Sequence, residues 1–298
     1  MTTFLQATVA GLSLAAIYVL VALGFVIIYK STQVLSFAQP ALLITGAFAI
    51  SYLAVDRGLG FWPAVAIGVV FTALFGGLVE RVALRPLVGK PVFAAAIATI
   101  GLDIAIRVVV DDMLGVNIRG VDDPWGMSAS TWGGVIVPHR TIAMVVAAIV
   151  VVAALAVFYR RSRMGLAMRA TAIDQEVALA QGINVGRVFS TAWMLGGAMA
   201  ALAGMFSATG LAGLSQVNAV SALKALPAAV VGGLDSIPGA VVGSLIIGLA
   251  EAYTAVYQPV YAPWLGANFA QVVPYLVMLL VLLVRPYGLF GTREVERV

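Results

Sequence analysis

The sequence predicts an all-α polytopic membrane protein with about eight or nine transmembrane helices, one of them short and broken. Three observations carry the prediction. Hydrophobic residues make up 62% of the 298 and charged residues only 10%. A soluble domain carries roughly 25% charge, so lipid has to solvate apolar surface that no water-soluble core of this size could hide. Apolar runs of about 20 residues, the length of one crossing, recur along the chain. Between them the basic residues gather in short loops, which marks topology; the net charge of +4 does not point to nucleic acid.

The first run, 4–29, has no basic residue before it and exceeds the core of a signal peptide, so it is expected to stay as an uncleaved span. Further spans fall near 37–55, 61–79, 92–110, 141–159, 188–209, 238–257 and 269–284. A ninth segment, 218–232, is short for a crossing and carries Lys224 and Pro227, as a broken or re-entrant helix would. The whole chain, 1–298, is expected to form one transmembrane domain with a basic loop at 160–187.

Loop charge sets the orientation. Arg81, Arg85 and Lys90 follow the third span, Arg160, Arg161, Arg163, Arg169 and Arg187 the fifth, and Arg285, Arg293 and Arg297 the last. These regions are expected in the cytoplasm. The loop with Asp111, Asp112, Asp122 and Asp123 then lies outside, and Lys30 after the first span places the N-terminus outside too. Because the sixth span must end outside, a cytoplasmic C-terminus requires 218–232 to cross.

Two stretches, "LGFWPAVAIGVVFTALFGGLVE" and "LDSIPGAVVGSLIIGLAE", each run from a proline turn into a small-residue helix ending at a glutamate, Glu80 and Glu251. On this topology the two helices point in opposite directions. Inverted repeats of that kind build many transporters; glycine- and alanine-rich helices also resemble one another by chance. The 31 glycines concentrate within spans, where small residues let helices approach closely.

Ionisable residues inside spans are costly and are candidates for a translocation path. Asp103 and Arg107 stand four residues apart on one helix face and should pair; they could mark the path or clasp two helices. Lys224 and Pro227 share the broken segment, where Lys224 either lines a path or snorkels to the outer interface. Glu251 could line the path or hydrogen-bond to a neighbouring helix. The single histidine, His139, sits in the acidic loop without enough further ligands for a metal site. With no cysteine there is neither thiolate chemistry nor a disulfide. Small-residue pairs near the sixth span follow no soluble strand and carry no dinucleotide fingerprint. No nucleophile–base pair is evident, so an enzyme is not expected.

The loop at 160–187 contains "GLAMRATAIDQEVALAQGINVGR". Thr171 can cap a helix with Asp174 three residues on, Asp174 and Glu176 suit the positive N-terminal dipole, and Gly182 can end the helix in the left-handed conformation. About ten residues follow the cap, too few to be stable alone. Ile173, Val177 and Ala180 share one face; Asp174, Ala178 and Gln181 share the next. A membrane-surface helix would be rich in Lys and Arg. Here only Asp174 and Glu176 are charged, so the partner should be protein.

The run "MGLAMRATAIDQEVALAQGIN" followed by "AALAG", then "GLDSIPGAVVGSLIIGLAEA", then "LLVRPYGLFG", with "LRPLVGKP" and "IATIGL" before them, resembles the permease subunits of bacterial branched-chain amino acid ABC importers of the LivH type, over nearly the whole chain. The resemblance implies that Ala172–Gly182 is the coupling helix, with Ile173, Asp174, Glu176, Val177, Ala180 and Gly182 its contact residues for an ATPase. It implies two ABC ATPase subunits, a second, LivM-like permease or a copy of the same chain, and an external substrate-binding protein, in a bacterial inner membrane. Asp103 departs from the uncharged residue usual there. No G-x-x-x-x-G-K-[ST] occurs: Gly89-Lys90 is followed by Pro91, and Leu84 stands where the first glycine should be. No cofactor is expected in this chain, ATP and Mg belonging to the ATPases. A urea or short-amide permease is the neighbouring alternative. An ion-coupled secondary transporter would need acidic or histidine relays, for which only Asp103 and Glu251 qualify.

Overall fold

The computed structural model describes residues 1–87, 90–115, 118–210, 213–215 and 217–292; Gly89, Arg293 and Arg297 lie outside them. The first four helices are α1 (Thr2–Thr32), α2 (Gln39–Ser51), α3 (Phe61–Val79) and α4 (Val92–Leu114). Wider π turns extend α2 over Tyr52–Asp56 and α3 over Glu80–Leu84. A two-stranded antiparallel hairpin, β1 (Ala129–Trp132) and β2 (Val135–Pro138), leads into α5 (His139–Arg161). The basic loop folds as α6 (Arg163–Ile173) and α7 (Gln175–Ala180). Then come α8 (Val185–Ser207), α9 (Val217–Leu223), α10 (Ala225–Gly232), α11 (Ile237–Tyr261) and α12 (Val273–Val284).

Among the described residues seven helices are long and apolar enough to cross a membrane, with Ser221–Gly232 and Val273–Val284 as shorter apolar helices. The last span is shorter than the 16 residues expected for it. Pro274 lies in the first turn of α12, and residues 269–271 form a separate 3-10 turn, so regular helix begins only at Val273. The ninth segment is broken as its composition predicts, at Lys224 between α9 and α10.

Contacts at the helix ends sort them into two groups. At one end, Lys30 Nζ donates to the Asp235 carbonyl, Arg85 reaches the Gly186 carbonyl, and the Leu289 and Phe290 amides donate to the Val231 and Gly232 carbonyls. This end also holds α6 and α7, and we call it the basic end. At the other, Arg119 pairs with Asp56 and exchanges backbone bonds with Leu214, and Gln6 binds both the amide and the carbonyl of Ile136. The α9–α10 segment therefore leaves the acidic end near Leu214 and arrives at the basic end at Gly232, a crossing that the alternation of loop charge required.

The packing repeats with inverted direction. In the first half α3 and α2 pack on α8, and α4 on α2; in the second α11 and α10 pack on α1, and α12 on α10. Each helix runs opposite to its counterpart, and α1 and α8 pack together where the halves meet. Close backbone approach supports both halves: a Cβ at Gly76 would sit 2.6 Å from the Trp193 carbonyl of α8, and one at Gly248 would sit 2.6 Å from the Ala15 nitrogen of α1. The inverted relation suspected from two stretches thus extends to four helix pairs. In the most apolar stretch of α1, 78% of residues are buried, against 22% in α4 and α5, which turn most of their surface outward.

Candidate functional site: the basic-end loop and the intramembrane ion pairs

The basic-end loop is held by short side-chain caps. Ser162 is extended (ψ 149°) and accepts from the Gly165 amide at 2.8 Å, starting α6. Gly165 packs against α5 so tightly that a Cβ would lie 2.5 Å from the Phe158 carbonyl. α6 then runs unbroken through Ile173, which corrects the expected boundary. Thr171 does not cap: it lies in the last turn of α6, its hydroxyl donating to the Ala167 carbonyl at 2.9 Å. Asp174 is the cap, its Oδ1 accepting from the Glu176 and Val177 amides, each at 2.9 Å. The segment of about ten residues is therefore two pieces, the end of α6 and the six-residue α7. The good helix formers of "RMGLAMRA" carry α6 past Thr171, so only the aspartate beyond it is free to start a new helix. Gly182 has φ +80° and lets the chain turn toward α8, which Asn184 caps through the Arg187 amide.

Burial then divides the expected faces. Ala178 is 3% exposed, packed on its own chain, whereas Ile173 is 88% and Val177 56% exposed; Ala180 and Glu176 also face outward. Two aliphatic side chains in water beside a capped carboxylate form an apolar contact surface on a short, fixed helix. An open groove of about 820 Å³ runs beside it, lined by Lys30, Arg169, Asp174, Gln175, Asp235 and Tyr287 among others.

A clasp connects this loop to the helices. Glu80, 1% exposed at the end of α3, accepts from Arg85 Nη2 at 3.1 Å and from the Ser190 hydroxyl, while Arg85 Nη2 also donates to the Gly186 carbonyl at 2.7 Å. It ties α3 to the first turn of α8, directly after the loop. Sequence reasoning missed it. Its one signal was Glu80 at the end of an apolar run, five residues from Arg85.

The other candidate residues fall into two separate clusters. Asp103 and Arg107 pair as expected across one turn of α4, at 2.6 Å. Asp103 Oδ1 also accepts from the Ala41 amide at 3.0 Å and Thr99 from the Phe37 amide at 3.0 Å, so α4 caps the start of α2 within the bundle. In the second cluster Lys224 does not snorkel: its Nζ donates to Glu251 Oε1 at 2.7 Å, and Tyr18 donates to Oε2 at 2.6 Å. Glu251 is buried and Lys224 half-buried, with 8% and 17% of their side chains exposed. Pro227, also buried, sits in the first turn of α10, where its missing N–H removes no helical bond. Tyr18, the third member, was not foreseen. The two clusters share no residue. His139 is hydrogen-bonded to Ser130 at 2.8 Å.

Over residues 7–282 the chain matches the family described as branched-chain amino acid transport system, permease component. It is 32% identical to the high-affinity branched-chain amino acid transport system permease protein LivH of Escherichia coli, over 99% of this chain and 98% of that one. It is equally identical, with the same coverage, to the permease protein BraD of Pseudomonas aeruginosa. The fructose import permease protein FruF of Bifidobacterium longum is 24% identical over 87% of this chain and 73% of its own. The matches favour the branched-chain class over a urea or short-amide permease. The chain is a multi-pass membrane protein and belongs to the branched-chain amino acid transport system permease family.

Proposed function

We propose that the chain is the membrane-spanning subunit of an inner-membrane ABC importer that takes up branched-chain or related amino acids, the whole chain acting as one permease domain. The observation that carries this is the six-residue α7, capped by Asp174 and presenting Val177 to solvent at the basic end, with Ile173 at the end of α6 exposed just before it. So short a helix gains nothing by standing alone, and its exposed aliphatic side chains suit a groove on an ATPase. In this reading the basic end is cytoplasmic and the N-terminus outside. Two ATPases bind ATP and Mg and pull on two such helices, one from this chain and one from a second, LivM-like permease or a second copy. A loaded binding protein docks on the acidic end. The helix bundle then shifts between outward- and inward-facing packings, each partner biasing the equilibrium. No residue of this chain is assigned a covalent step or a cofactor.

Two experiments bear on this. Val177→Asp puts an unpaired charge into the docking contact. The variant is expected to reach the membrane folded and to lose at least about tenfold in affinity for the ATPase, together with substrate-stimulated hydrolysis, a loss of ~1.4 kcal/mol or more. Gln181→Asp, at the end of α7, should be much milder. A Val177→Asp protein that keeps its ATPase and full transport would remove α7 from the coupling role. For orientation, single cysteines at Asp122 and Gln175 should react with an impermeant thiol reagent from opposite sides of the membrane; labelling of both from outside intact cells overturns the topology.

A further inference from the structure

Four polar side chains stand on α4 at four-residue intervals: Thr99, Asp103, Arg107 and Asp111. Such positions lie one above another on a helix, so they form a continuous polar edge about 18 Å long. The deeper two are engaged, Thr99 and Asp103 with the start of α2 and Asp103 with Arg107. The outer two are not saturated. Arg107 leaves 31% of its side chain exposed, and Asp111 Oδ1 is shut away from solvent with no hydrogen-bond partner.

An arginine facing acyl chains costs several kcal/mol unless it snorkels to the near interface. Arg107 does the reverse. Its guanidinium is drawn back one turn, deeper into the span, onto Asp103. The start of α2 covers the inner part of this edge, and the part around Arg107 and Asp111 needs a polar neighbour of its own. Just beside it, Ile100 (43% exposed) and Ile104 (52%) present a bare aliphatic strip.

We infer that this edge of α4 is a wall of the water-filled translocation path and contacts the cargo, a zwitterionic α-amino acid with an aliphatic side chain. Arg107 takes its carboxylate, Asp111 takes its ammonium, and Ile100 and Ile104 receive its side chain. Opposite charges one helical turn apart, about 5–6 Å between Cβ atoms, match a cargo whose two charged groups share one carbon. A neutral sugar brings no charge to either side chain. The assignment rests on the transport function proposed above and adds which atoms of this chain meet the cargo.

The test uses the complete transporter in proteoliposomes, with single cysteines at Ile104 and at Val109. These are comparably exposed, at 52% and 60%, but lie on opposite flanks of α4. Because a thiol must ionise in water to react, Ile104→Cys should react with a charged methanethiosulfonate about tenfold faster than Val109→Cys. L-leucine with its binding protein and ATP should slow that reaction. Equal rates at the two positions, or no reaction at Ile104→Cys, mean lipid or a packed partner helix, and overturn the inference. Unchanged labelling in the presence of leucine means a crevice off the cargo's route, and overturns it too. Asp111→Asn, which leaves the Asp103–Arg107 pair intact, should cut leucine uptake at saturating loaded binding protein about tenfold without changing the melting temperature; uptake that stays at the original level counts against it. Leucine-stimulated ATP hydrolysis by the unaltered transporter checks the transport function separately. If stimulation is absent, that reading fails; if it is present without selective labelling, only the α4 assignment fails.

Discussion

Lys224→Ala is expected to destabilise the folded protein by about 3–5 kcal/mol, the usual cost of removing one partner of a buried ion pair. The reason lies in what remains: Glu251 would keep only the Tyr18 hydroxyl as a donor, in a site where the carboxylate has 8% of its side chain exposed. Because Lys224 also sits at the junction of α9 and α10, the loss should loosen that crossing against α11. Glu251→Gln should be milder, since the amide oxygen can still accept from Lys224 while the amide nitrogen donates to the Tyr18 hydroxyl. Lys224→Met combined with Glu251→Leu should recover most of the loss, as a well-packed apolar replacement can equal a buried pair. Thermal unfolding in detergent measures all three. If the single alanine variant and the apolar double variant melt together at the original temperature, the Lys224–Glu251 pair holds nothing.

A bulkier residue at Gly248 is expected to have a still larger effect. A Cβ there meets the nitrogen and α-carbon of Ala15 at 2.6 and 2.8 Å, which are main-chain atoms of a packed helix and cannot swing aside. Ordinary overpacking costs about 1–3 kcal/mol; separating α11 from α1 should cost more, because it opens a contact that runs along both helices. Gly248→Leu should therefore fail to yield monodisperse protein on size exclusion. Gly101→Leu, where nothing lies within 4 Å of a Cβ, should behave as the unaltered chain in the same measurement. A monodisperse, thermostable Gly248→Leu protein would mean that α1 and α11 are not packed this way.

Most interactions set by helix periodicity were legible before the structure, whereas the Glu80–Arg85 pair and most contacts between distant segments were not. Hydropathy located the spans because a lipid-solvated helix has to be apolar along its length. The Asp103–Arg107 pair was legible because four-residue spacing is a property of the helix itself. That Asp103 also caps α2 could not be read, since it depends on α4 lying beside a start 62 residues earlier in the chain. Lys224 could not be assigned from sequence, because its partner is 27 residues away and a long side chain can equally well reach an interface. At 171–174 two good capping residues stood three apart. Which one starts the helix depended on how far α6 would run, a competition that propensity alone leaves open.

The shortness of α12 bears on the surrounding bilayer. Twelve helical residues rise about 18 Å, against roughly 30 Å of hydrocarbon in an average membrane. Leu279, Leu280 and Leu283 face outward along this helix, with Tyr275 and Tyr287 toward its two ends. A span this short is met by a locally thinner bilayer, by snorkelling of flanking residues or by a partner chain along the flank. Where lipid covers this flank, a thicker membrane raises the elastic cost there and barely touches the side formed by the 23-residue helices α4 and α5.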